Sequence, residues 1–166
     1  MILSGNIEEK NYYLKKYQET EESKDTYLGK AKVFTNPHTL EKVIAVHERY
    51  TDQETLRNKV QSIQQFMLEQ SSYNLKLLDY EVKVDSHWSK CIYNLFVFYE
   101  NFEETLSEKM KMKKIFTEEE LIEILYAGLH CLKEMQNSQK YHGDLRPENL
   151  VCLNNGIYKV MVKYDC

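Results

Sequence analysis

The feature that most constrains this chain is residues 142–149, HGDLRPEN, with what stands on either side of them. Upstream, Thr117 and Glu120 have the spacing of a capping box, and Leu121, Leu125, Leu129, Leu132 and Met135 recur at helical intervals. That pattern predicts a long amphipathic helix with the leucine stripe as its core face and His130 as a packing residue. Downstream, the apolar runs 150–153 (LVCL) and 157–162 flank Asn154, Asn155 and Gly156, and Asn-Gly between two such runs predicts a hairpin. The polar octapeptide is therefore pinned between a helix and a hairpin. Taken alone it reads as a turn, with Asp144 as a cap and Pro147 fixing the bend. Its spacing is more particular than a turn requires: an aspartate two after a histidine, then a proline three and an asparagine five beyond the aspartate.

The preceding hundred residues read as a sheet with one helix. Residues 1–10 carry no strong signal. The tyrosine-rich run 11–18 suits a first strand, 19–25 (ETEESKD) an acidic loop, 26–34 a second strand and 43–46 (VIAV) a third after a turn. Thr51 with Glu54 forms a capping box, and Leu56, Val60, Ile63 and Met67 mark a helix to about Gln70. Two more strands, 75–85 and 91–100, are joined by a loop of Ser86, His87, Trp88 and Ser89, and a short helix is expected at 106–112.

Composition matters where it limits partners. With 42% hydrophobic residues in 166, the chain suffices for one domain with a real core. A formal charge of -4 argues against a sequence-independent binder of nucleic acid or anionic membrane. Cys91, Cys131, Cys152 and Cys166 lie far apart and form no Cys-x-x-Cys pair, which suggests isolated thiols in a reducing compartment and no metal site of the chain's own. No stretch approaches eighteen apolar residues, so the expectation is a soluble, intracellular, cytoplasmic protein.

A sheet with one helix, then a long helix, HGDLRPEN and a hairpin resembles the first part of a eukaryotic protein kinase domain, and Arg146 with the Pro-Glu-Asn ending resembles its Ser/Thr group. The resemblance implies an α+β kinase-like fold: a five-stranded antiparallel first lobe with one regulatory helix over residues 11–100, then a hinge and an incomplete, mainly helical second lobe over 101–166. It gives Asp144 the role of proton acceptor with Arg146 beside it, and gives Asn149 a place on a metal ion. Val97 falls at the gatekeeper, and the backbone of Phe98, Tyr99 and Glu100 is expected to face an adenine.

The departures from the family bear on the same chemistry. Residues 19–25 stand where a glycine-rich phosphate cover is expected, contain no glycine, and bring Glu19, Glu21, Glu22 and Asp25. Each like charge at about 4 Å opposes phosphate by roughly 1 kcal/mol in water. The strand lysine is replaced by His47, its helix glutamate by Ser62 among uncharged Gln61, Gln64 and Gln65, and the metal-binding aspartate by Val162, which Lys163 and Tyr164 follow. Asp165 lies three residues late, and Gly143 replaces the arginine that engages a phosphorylated activation loop.

Three readings follow. The first is a pseudokinase or truncated kinase that acts in signalling through protein binding, and needs no cofactor. The second is an active Ser/Thr kinase, or a fragment of one, that uses ATP and magnesium. The third is an unrelated α+β interaction module. Under the first two the unfinished second lobe leaves Leu121, Leu125 and their neighbours exposed, so a poorly stable or self-associating chain, or one completed by a protein partner, is expected.

Overall fold

The computed structural model describes residues 16–87 and 90–164. In chain order it contains strands β1 (Gln18–Thr26), β2 (Gly29–Thr35) and β3 (Lys42–Tyr50), helix α1 (Gln53–Glu69), strands β4 (Leu77–His87), β5 (Lys90–Glu100) and β6 (Glu104–Thr105), helices α2 (Leu106–Lys111) and α3 (Glu118–Asn137), and strands β7 (Leu150–Cys152) and β8 (Tyr158–Val160). The fold is α+β. Five antiparallel strands form one sheet in the order β1-β2-β3-β5-β4, and β6-β7-β8 form a second, smaller one.

β5 is apolar on both faces because it lies inside the large sheet. Leu95, Val97 and Tyr99 join Ile44, Val46 and α1 residues Leu56, Ile63 and Phe66 in the main core, while Phe96 and Phe98 pack with Tyr17, Phe34, Val43 and Ala45 on the other face. Burying each of these large side chains is worth roughly 1.5–3 kcal/mol.

Three expectations need correction. The segment 19–25 is not a loop but most of β1; the expected strand at 11–18 lies largely outside the described residues. Acidic composition suggested solvent, but β1 is an edge strand whose Glu19 and Glu22 meet Lys32 and Lys42 across the sheet, and charge along an edge also discourages pairing with other chains. The connection to β2 is a tight turn at Tyr27 and Leu28, closed by Gly29 at φ 123, which glycine adopts without strain. At α1 the cap is Asp52, whose carboxylate accepts from Thr55 N at 2.7 Å, and not a box at Thr51. On α3 the Thr117–Glu120 box is present, but the inward face is Ala127, Gly128, Cys131 and Met135. Leu121, Leu125, Leu129 and Leu132 face outward. α3 lies against β8, and Gly128 faces the loop with room to spare, since a Cβ added there would make only an ordinary contact 3.8 Å from Leu145.

The smaller sheet is fastened to the larger region through the segment before β4. Leu75 N donates to Val160 O and Val160 N to Tyr73 O, both at 2.8 Å. Within the second region buried Lys109 gathers Glu120 and the Tyr158 hydroxyl, the latter at 3.0 Å. Among the described residues no helix is long and apolar enough to cross a membrane.

Candidate functional site

The residues of HGDLRPEN are positioned by the ends of two elements. α3 closes at Ser138, and Lys140 N reaches back to Met135 O at 2.8 Å with Gln139 in the left-handed region. The loop then runs to a single 3-10 turn, Pro147–Asn149, that feeds β7. Proline suits the start of that turn, because its fixed φ fits and its missing N–H costs nothing there.

Inside the loop the polar groups are spent on one another. Asn149 is buried; its Nδ2 donates to Asp144 O at 2.5 Å, its N–H to Arg146 O at 2.8 Å, and its carbonyl accepts from Met161 N at 2.8 Å. His142, also buried, bonds Met161 O through Nε2 at 2.9 Å and accepts from Asp144 N through Nδ1 at 3.3 Å. The Asp144 carboxylate takes a 2.7 Å ion pair from Arg146. Asp144 therefore caps nothing; its side chain is partly exposed and presented beside a cation, while its backbone is fixed by Asn149.

The β1–β2 turn comes down on this loop. The Tyr27 ring stacks on His142 at 5.7 Å between centroids and 15° between planes, and the Lys163 ammonium lies 4.7 Å from the centre of the Tyr27 ring. Tyr27 thus fills the space between the hairpin and the loop with a side chain.

The structure separates several residues that sequence placed together. His47 points to the sheet face away from α1: it stacks on Phe96 at 4.5 Å and its Nε2 bonds Asn94 Oδ1 at 3.0 Å. Burial holds its pKa below the ordinary imidazole value, with the Asn94 bond acting the other way. The residue that follows Ile44 and Val46 on the core side is Glu48. Its carboxylate accepts from the hydroxyls of Tyr50 and, at 3.0 Å, Tyr164, and Lys59 of α1 lies 5.4 Å from the Tyr164 ring centre. Strand acid, helix base and phenol replace the expected His47 with Ser62. Period-two counting along VIAVHERY could have found Glu48, and nothing local could have found Tyr27 or Tyr164 as its companions.

The backbone of Val97, Phe98 and Tyr99 is not open to a ligand either, and the N–H of Glu100 is taken. Val97, Phe98 and Tyr99 pair with β3 on one side and β4 on the other, and Glu100 pairs with Val43 and donates to Lys76 O at 2.9 Å. The expected adenine-facing edge is inside the ladder. Val162 is buried in the core directly after the Met161 bonds to Asn149 and His142. It also lines a cavity of about 40 Å³ with Asn74, Cys131 and Glu134, space for one water. Among the described residues no three His, Cys, Asp or Glu side chains gather as a metal site.

Searched against protein-family models and against curated proteins, the chain matches neither.

Proposed function

We propose that this chain is a protein-kinase-like domain without ordinary phosphotransferase activity, acting through protein binding. The observation that carries the reading is the loop 142–149, in which Asn149 ties to the Asp144 backbone while the residue thirteen further on, Val162, is a buried hydrocarbon. Phosphoryl transfer depends on positioning and on neutralising charge. Here the positioning half persists. The neutralising half does not fit: Val162 offers no oxygen to magnesium, and Glu48 faces inward from β3 where a phosphate would need a cation. Tyr27 stacked on His142 adds a steric obstacle to a nucleotide.

The binding role finds support in the outward face of α3, where large apolar side chains stand in solvent. A second reading, an active Ser/Thr kinase or a fragment of one using ATP and magnesium, is favoured by one feature, the partly exposed Asp144 carboxylate held in place by its loop.

Calorimetric titration of the full chain with ATP, with and without magnesium, separates the two, alongside a phosphate-transfer assay on a generic protein substrate. No magnesium-dependent binding and no transfer are expected. Transfer abolished by Asp144→Asn would overturn the proposal in favour of the enzyme.

A further inference from the structure

We infer that the outward face of α3 is a dimer interface, and that it receives α3 of a second copy of this chain, packed antiparallel about a two-fold axis. This goes beyond the kinase-like reading and does not depend on it.

The first observation is spacing. Ile122, Leu125, Leu129 and Leu132 follow one another at intervals of three, four and three residues, the a and d positions of a heptad. They are 57%, 64%, 65% and 41% exposed. Ala127 and Cys131, on the other side of the helix, are buried in the chain's own core. The seam therefore points away from the fold, and a helix that has already satisfied one face presents a second that matches a helix partner.

The second observation is charge. In this register Glu119 and Lys133, both exposed, occupy e positions near opposite ends of α3. When two such helices run antiparallel, a positions meet d positions and e positions meet e positions. Centred near Ala127, this sets Leu125 against Leu129 of the second copy and Ile122 against Leu132 of the second copy. Glu119 then meets Lys133 of the second copy, and symmetry repeats the contact at the other end. Tyr126, also at e and exposed, meets its own copy near the axis. A parallel pair would set e against g and bring Lys133 to Gly128, with no charge contact inside the helix. Self-complementary charge about a central apolar seam is what a two-fold interface requires, and opposed helix dipoles add to it.

The test is the mass of the full chain in solution, by sedimentation over a concentration series. A dimer that dissociates on dilution is expected. Leu125→Glu should give a monomer that melts cooperatively at the temperature of the wild-type chain diluted below its dimer dissociation, because the side chain is exposed and its loss leaves the core intact. Glu119→Lys and Lys133→Glu should each weaken the dimer by about tenfold, since two attractive contacts become two repulsive ones. Mixing those two variants should restore a heterodimer. A chain that is monomeric at every concentration would overturn the inference and leave the face to another partner, as would a dimer indifferent to Leu125→Glu. A dimer lost with Leu125→Glu but blind to both charge changes would overturn the antiparallel arrangement. None of these outcomes bears on nucleotide binding, so the two proposals fail separately.

Discussion

Asn149 shows how a single side chain can set a loop. It is 1% exposed, and three hydrogen bonds converge on it from Asp144, Arg146 and Met161. Replacing it by Ala leaves the Asp144 carbonyl without its donor, and should lower stability by about 1–3 kcal/mol in urea unfolding. The cysteines offer a second residue-level expectation. Burial pushes the Cys131 thiol up to about 11, with Glu134 adding to it, and burial also raises Cys152, whereas Cys91 is exposed. A maleimide at neutral pH, followed by peptide mass mapping, should modify Cys91 in the folded chain, and Cys131 and Cys152 only after denaturation. The residues that form the loop were legible in the sequence as a spacing. The inward turn of Glu48 was legible too, in the alternation of VIAVHERY, but assigning a strand position by motif alone shifted that alternation by one and put His47 in its place.

Among the elements, α3 best separates what pattern can and cannot tell. Its length and its Thr117–Glu120 box were readable, and Thr117→Ala should cost about 1 kcal/mol of stability by chemical denaturation. Its orientation was not. A helix with leucines on one side and Ala127, Gly128 and Cys131 on the other has two candidate inner faces, and hydrophobicity favours the wrong one. Closeness to β8 decides, and that is a tertiary fact. Leu129→Gln should therefore change the unfolding free energy of the monomer, measured at protein concentrations where any dimer has dissociated, by no more than about 0.5 kcal/mol. Cys131→Leu should cost about 1–3 kcal/mol by crowding. Equal losses from the two would refute the assigned face. β1 makes the complementary point: an acidic run read as solvent is an edge strand paired with β2, and its Glu19 and Glu22 meet Lys32 of β2 and Lys42 of β3.

On the scale of the whole molecule, four of the sheet's five strands and its helix were legible from alternation and turn residues, and the hairpin from Asn155-Gly156. What joins the parts was not, since the joints are single pairs between distant residues. Lys140 reaches Glu69 at 3.0 Å, Lys159 reaches Glu100 at 2.5 Å, and Tyr164 reaches Glu48 at 3.0 Å. Burial, and then the negative charge of Glu48, hold the Tyr164 phenol far above its ordinary value. A group raised in the folded state contributes stability that is complete below its unfolded pKa, about 10, and is lost as pH climbs past it. The wild-type chain should thus lose stability above about pH 10 more steeply than Tyr164→Phe, as thermal melts across that range would show. The clasp of Val160 onto Tyr73 and Leu75 has a consequence for synthesis. Tyr73 and Leu75 leave the ribosome long before the strand that completes their hydrogen bonding, so the nascent sheet must wait with that edge open. Such long-range closure slows folding, and the interval of waiting is when a chaperone would have the most to hold.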